Sequence, residues 1–419
     1  MICPLLTIAC FLAAPDAVRP APATPGQPPT ALRVLSDFEA GSARVLQIDQ
    51  QQRTIRFSPA GDPQRGWPCW WMFRVEGITP GETLTLELTP AEPKKASDSF
   101  SKPDRAAFSL DGRQWRQVDE AGQRSKQGLI TWRQRIDSSS AWFAWGPPFT
   151  WADACDAVQR LGRQSPHARP FELCRSREGR AVPGLVIREG SDREPRPVVW
   201  VQARQHAWET GASWTWLGMV QWLLGDDPRA KTLRSCAEIW AVPVMDVDNV
   251  VAGNGGKAQL PHDHNRDWSD QPHWPEVRAA QQRLKELSTN GQLQLFIDLH
   301  DPGAGSKQPF FFYPPDEILN EAGKANHARW LKTAIEEFTG PMGLNPKASV
   351  SNAKYDPKAW RQISKNWIVE QCGAHIVSFT LEVAWNTPHS TQEGYLDVGR
   401  QLGSTIERYL REAGWPSRI

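Results

Sequence analysis

The sequence predicts two successive folds, an all-β sandwich and then an α/β domain on a mainly parallel or mixed sheet flanked by helices. Three observations carry this reading. Between residues 31 and 150, short alternating or aromatic runs are separated by Gly, Pro and Asp turn signals. From about residue 195, apolar strand candidates alternate with longer helical patterns. The chain of 419 residues is also too long for one ordinary core and about right for two.

Taken in order, the first 14 residues, MICPLLTIACFLAA, are apolar and lead into a Pro/Ala-rich stretch ending near Thr30. Residues 1–30 therefore read as a signal peptide and flexible linker, with Ala21-Pro22-Ala23 as a small-residue cleavage site. That reading expects an exported protein, periplasmic or secreted. A disordered tail on a cytoplasmic protein is the alternative. Seven runs across residues 31–150 read as sandwich strands: ARVLQID, TIRFSP, WWMFRVEG, TLTLELTP, AAFSLDG, ITWRQRI and AWFAWG.

Residues 151–419 form the second domain, opened by a connector with a short helix at 151–162 and a strand pair at FELCRS and GLVIRE. Strands follow at VVWVQA (198–203), EIWAVPV (238–244), QLFIDLH (294–300) and HIVSFTLEV (375–383). Helical patterns cover 210–224, 275–290, 316–339 and 391–413. The second of these has Pro275 at its start and Gly291 just past its end, where each is favoured.

Composition excludes several functions. There are 48 basic against 47 acidic side chains and no basic stripe, which argues against a nucleic-acid partner. Beyond the N-terminus no apolar run reaches the ~18 residues of a membrane helix, so no integral membrane segment is expected after maturation. The seven cysteines include no CxxC pair and match neither a zinc knuckle nor a dense disulfide framework; one or two disulfides would suit an exported chain. The 21 tryptophans are expected mainly in cores, with a few as sugar or peptide platforms.

The chemistry concentrates at strand ends. VVWVQA runs into Arg204-Gln205-His206-Ala207-Trp208-Glu209, and a helix follows. A His and a Glu three apart at a helix mouth can turn to one point, and imidazole nitrogen with carboxylate oxygen suits zinc. Alone, such a pair is more often a surface contact. His300 ends QLFIDLH, on the C-terminal rim where open α/β sheets place their sites. Together the three make a His₂Glu set with one position open for water, catalytic in type. Glu382 sits in the apolar run HIVSFTLEV, where a carboxylate is costly unless compensated, and beside zinc it can serve as general base. In Asp263-His264-Asn265-Arg266-Asp267-Trp268, Arg266 offers a planar fork for a carboxylate and Asn265 further donors. Asp263 can accept from the second nitrogen of a zinc-bound His.

His206-x-x-Glu209, Asp263-x-Asn265-Arg266, Asp298-x-His300 and Thr380-x-Glu382 occur in the order found in zinc carboxypeptidases, and the chain resembles that family. It is most similar to the cytosolic-carboxypeptidase-like subgroup and its bacterial relatives, which carry a β-sandwich before the catalytic domain. Phe143–Trp151 (FAWGPPFTW) resembles their aromatic join between domains. The resemblance implies a carboxypeptidase-like mixed sheet flanked by helices, and one zinc per chain on His206, Glu209 and His300. His₂Glu is already the documented set of carboxypeptidase A, so it comes with the family. The chain departs from the family pattern in three places. Ala207 replaces the usual Pro. The Asn-Pro-Asp-Gly turn reads Asp246-Val247-Asp248-Asn249 and keeps only Asp248. The Arg that polarises the scissile carbonyl is missing, leaving Lys257 as the nearest cation. Tyr355 matches the family tyrosine by its placement before the catalytic Glu alone.

The implied function is zinc-dependent hydrolysis of a C-terminal peptide or isopeptide bond in a substrate with a free terminal carboxylate, removing acidic residues such as Glu. Arg361 and Lys365 are positioned to receive such a charge, and an exported bacterial enzyme would instead trim cell-wall peptides. Two alternatives remain. One is a zinc amidase or deacylase acting on a non-peptide acyl group. The other is a glycan- or protein-binding sandwich whose α/β domain is an inactive relic.

Overall fold

The computed structural model describes residues 31–92, 95–190 and 196–414. The signal peptide and linker expected at 1–30 lie outside the described residues. Among the described residues the strands form two five-stranded sheets and one of eight.

The two smaller sheets make the sandwich. Its strands are β1 (Arg33–Leu35), β2 (Arg44–Asp49), β3 (Thr54–Ser58), β4 (Met72–Glu76), β5 (Glu82–Leu88), β6 (Ala107–Ser109), β7 (Arg116–Gln117), β8 (Gln123–Arg124), β9 (Ile130–Ile136) and β10 (Ser140–Ala144). They order as β1-β4-β10-β6-β7 and β2-β3-β5-β9-β8. Period-two patterning explains the faces. In β5 and β9, which pair antiparallel, Leu84, Leu86 and Leu88 are buried with Ile130, Trp132 and Ile136. A short helix, α1 (Ala96–Phe100), lies between β5 and β6.

Helix α2 (Trp151–Gln164) opens the second domain, begun by a capping box in which Thr150 and Asp153 satisfy each other's backbone N–H. The large sheet is β11 (Ala168–Arg175), β12 (Ala181–Ile187), β13 (Val198–Ala203), β14 (Glu238–Val242), β15 (Leu293–His300), β16 (Phe310–Tyr313), β17 (Ser349–Val350) and β18 (Val377–Glu382), in the order β11-β12-β14-β13-β15-β18-β16-β17. Its centre, β14-β13-β15-β18, is parallel, while β12 and β16 join it antiparallel, so the sheet is mixed. Every residue of β13 is buried, as expected of a central parallel strand covered on both faces. The covering helices are α3 (Thr210–Leu224), α4 (Pro228–Cys236), α5 (Val247–Val251), α6 (Pro275–Thr289), α7 (Glu321–Glu337), α8 (Ser364–Gln371) and α9 (Gln392–Glu412).

One expected helix is divided. The pattern at 316–339 is a single 3₁₀ turn at Asp316–Ile318, then α7, because Leu319 and Asn320 are extended and the Asn320 side chain caps the N–H of Gly323. The described cysteines, Cys69, Cys155, Cys174, Cys236 and Cys372, are all free thiols. No helix among the described residues is long and apolar enough to cross a membrane.

Candidate metal centre and active site

Three neighbouring parallel strands, β13, β15 and β18, end on one rim of the sheet. His300 and Glu382 are the last residues of β15 and β18 and face each other in register. Beyond β13 the chain turns sharply at Arg204 (φ +63°) and enters α3, placing Glu209 at the helix N-cap. The Glu209 side chain caps no backbone N–H. Instead its two oxygens lie 2.7 Å from His206 Nδ1 and 2.7 Å from His300 Nδ1. One ligand atom from each of these three buried residues falls within 4.8 Å of the others.

The outer nitrogens test whether a metal fits. His206 Nε2 faces Asp263 Oδ1 at 3.4 Å, and His300 Nε2 faces Asp298 Oδ2 at 3.0 Å. A neutral imidazole carries one N–H. With that proton pointing outward to the aspartate, both Nδ1 lone pairs point inward beside a carboxylate, the arrangement a metal cation would satisfy. Imidazole, imidazole and carboxylate with outward carboxylate partners is a zinc donor set. The donor set fits the metal.

Charges around the site follow from burial and neighbours. Burial alone would raise the Glu209 pKa, but the two imidazoles hold it well below the usual carboxylate range. Asp263 is likewise pulled far down against burial, chiefly by His206. Burial pushes the Glu382 carboxyl up, and its enclosed Oε2 has no protein partner. Asp301 is raised well above its range by burial, although it accepts a 3.0 Å hydrogen bond from the Gly211 N–H.

His206, Glu209, His300, Asp301 and Glu382 share a cleft of about 230 Å³ with Lys257, Asn265, Arg266, Tyr355 and Lys365. Asn265 and Arg266 ride on a 3₁₀ turn at His264–Arg266. Arg266 donates from Nε to Asp356 (2.7 Å) and from Nη1 to the Asn265 carbonyl (3.0 Å). Asn265 accepts from the Ser364 N–H at 3.0 Å and approaches His300 Nε2 at 3.3 Å. Tyr355 is half exposed at the mouth, its ring 5.9 Å from the Arg266 guanidinium carbon. Lys257 lies 5.6 Å over the ring of Trp67, a sandwich residue. Arg361 is not brought in: it is paired with Glu370 and lies over Trp360.

Asp298 is the member that residue-by-residue reading gave no role. Fully buried, it accepts from Ser364 Oγ (2.6 Å) and Gln205 Nε2 as well as facing His300. Gln205 is in turn fixed by Trp268 Nε1 at 2.8 Å. Its one sequence signal is the polar residue two before His300 in an apolar strand, hence on the same face.

The zinc carboxypeptidase profile matches residues 155–407, more than half of the chain. The chain belongs to the zinc carboxypeptidase family. A second profile, the cytosolic carboxypeptidase N-terminal domain, matches residues 34–145, the span of the sandwich. Cytosolic carboxypeptidase 1 of Mus musculus is 25% identical over 338 residues, covering 71% of this chain and 27% of that protein. Cytosolic carboxypeptidase 3 of Bos taurus is 26% identical over 374 residues, covering 83% of this chain and 36% of that protein. The chain thus spans well under half the length of these relatives. Its fold is that of a metallo-carboxypeptidase from Burkholderia cenocepacia, with TM-score 0.75, 22% identity, and coverage of 91% of this chain and 100% of that one. It is also that of a metallo-carboxypeptidase from Pseudomonas aeruginosa in complex with (2-guanidinoethylmercapto)succinic acid, with TM-score 0.74, 23% identity, and 91% and 99% coverage. Zinc is the metal of the family, and the His206–Glu209–His300 group answers to it.

Proposed function

We propose that this chain is a zinc-dependent carboxypeptidase that hydrolyses the last peptide or isopeptide bond of a substrate with a free C-terminal carboxylate, preferring an acidic terminal residue. The observation that carries the reading is the convergence of His206, Glu209 and His300 beside Glu382 in a cleft that also holds Arg266. When bound, zinc supplies a Lewis acid that polarises a carbonyl and lowers the pKa of a water toward ~7.

The chain's own residues do the rest. Glu382, its carboxyl pushed up by burial, takes a proton from the attacking water at Oε2. As oxygen adds to the carbonyl carbon and the C–N bond breaks, Glu382 returns that proton to the leaving amine. Lys257 offers a point charge for the developing oxyanion, without an arginine's fork. Arg266, held by Asp356, grips the terminal carboxylate with Asn265. Tyr355 borders the terminal residue from the mouth. Lys365 faces the same cleft and supports a preference for a terminal Glu. Similarity to cytosolic carboxypeptidases and the five free thiols among the described residues support a cytosolic location over export.

The test is a free-acid peptide against the same peptide amidated. The amide leaves the guanidinium facing a partner that cannot satisfy it, a loss of ~3–5 kcal/mol, or ~10²–10³-fold in kcat/KM. Arg266→Ala should weaken free-acid turnover and narrow the gap. Equal turnover of acid and amide by the wild type favours a zinc amidase instead.

A further inference from the structure

The catalytic cleft is not walled by the α/β domain alone. Phe100, at the end of α1 in the sandwich, lines it beside His206, Glu209 and Lys257. Its backbone is held from the sandwich core. The indole N–H of Trp145 donates to the Phe100 carbonyl at 2.7 Å, and that of Trp71 to the next carbonyl, Ser101, at 2.9 Å. The ring packs on Trp67 at 4.9 Å and on Trp208 at 5.5 Å, and a Cβ placed on Gly303 would lie 3.9 Å from its tip. Trp208 lies between two of the converging residues, and Gly303 follows the third.

The sandwich itself is fixed against this site. Trp208 and Trp385 belong by sequence to the α/β domain, yet both are buried in the sandwich's aromatic core. The loop carrying Lys257 is clamped backbone to backbone, with Trp67 N–H donating to the Lys257 carbonyl at 2.8 Å and Gly256 N–H to the Arg65 carbonyl at 3.0 Å. Glycine is required there, because a Cβ on Gly255 would overlap the Trp67 carbonyl. The Phe100 ring is therefore a rigid wall.

Its side of the cleft is also defined. Arg266 lies against Asp356 and Tyr355, whereas Phe100 lies against Trp67, Trp208 and Gly303, and the two sets share no member. With the terminal carboxylate at Arg266 and the scissile carbonyl at Glu382, the wall that shares no neighbour with Arg266 is the one left for the residue before the bond. The cleft of about 230 Å³ lies below the ~300–1,000 Å³ of typical small-molecule pockets. It has little room to spare around the residue before the bond.

We propose that Phe100 is a specificity-determining residue, a steric wall supplied by the sandwich that restricts the size of the substrate residue preceding the scissile bond. This rests on the carboxypeptidase reading. The experiment uses the zinc-loaded full chain and two free-acid peptides with the same terminal Glu, preceded by Gly in one and Trp in the other. The ratio of kcat/KM for the Trp peptide over the Gly peptide should rise about tenfold or more in Phe100→Ala, the scale of a steric change in an apolar pocket, and Phe100→Leu should give an intermediate rise. The same ratio should appear in peptide binding measured by calorimetry on the Glu382→Gln background. A general structural role would lower both peptides together and leave the ratio alone. An unchanged ratio in folded, zinc-loaded Phe100→Ala overturns the proposal while leaving the carboxypeptidase reading standing. If Phe100→Ala does not fold, the ratio in Phe100→Leu decides on the same terms. If the wild type neither cleaves nor binds either peptide, the carboxypeptidase reading fails and the wall with it.

Discussion

The two hydrophobic cores of this molecule are built from different material. The α/β core is largely aliphatic along its parallel strands, as in Val198, Val199 and Val201 of β13 or Leu295, Ile297 and Leu299 of β15. The sandwich core is aromatic, with Trp70, Trp71, Trp132 and Trp145 packed among Phe57, Phe73, Phe108 and Phe143. It also takes in Trp208 and Trp385, which flank Glu209 and Glu382 in sequence. The segments of the candidate metal site are therefore held from two sides. The sheet fixes where His300 and Glu382 stand, and the sandwich fixes how the segments around Glu209 and Glu382 leave it.

That contrast can be broken at a pair of tryptophans. Trp208 is buried in the sandwich core, and Trp330 on α7 is equally buried in the α/β core, 4.8 Å from Phe379. Truncating either to Ala should cost about 3–5 kcal/mol of stability, read by denaturant unfolding. Only Trp208→Ala should also weaken zinc affinity, because only that ring sits between two of the metal-site residues. Equal zinc affinity in both folded variants would mean that the sandwich does not hold the site.

A smaller effect sharpens the comparison from the α/β side. Lys365 is fully buried on α8, and burial, with Arg266 nearby, pulls its ammonium down to about 7. It carries charge below that pH and loses it above. KM for a Glu-terminated peptide should therefore rise relative to a neutral-terminated one as pH climbs through 7, by up to about tenfold per unit. Lys365→Met should make the two profiles parallel. Parallel profiles in the wild type would remove Lys365 from recognition of the terminal residue.

Much of this was legible because the informative side chains sit at the ends of strands whose apolar runs are unambiguous. VVWVQA, QLFIDLH and HIVSFTLEV each hold a strand that ends on the same rim, with His300 and Glu382 closing two of them and His206 and Glu209 following the third after a turn. What stayed hidden depends on long-range partners. The role of Asp298 becomes visible only when Gln205 and Ser364, distant in sequence, reach it. Arg361 and Lys365 are four apart, yet one is paired outside the cleft with Glu370 and the other lines it. Phe100 is separated from the site by a whole domain boundary, and no local pattern announces it. The tryptophan content gave no facing either: among the described residues none of the exposed large hydrophobics is a tryptophan, and Trp67 and Trp142 of the sandwich are partly buried.

On the proposed reading, peptide hydrolysis depends on a zinc ion held by His206, Glu209 and His300, with Glu382 as the base. The direct measurement is turnover of a free-acid peptide against zinc content, before and after chelation, with Glu382→Gln in parallel. The wild type should hold one zinc per chain, lose turnover with the metal and recover it on zinc addition. Glu382→Gln should keep its zinc and lose ~10²–10⁴-fold in kcat. Turnover by metal-free protein, or a Glu382→Gln variant within a few-fold of wild type, would contradict the account.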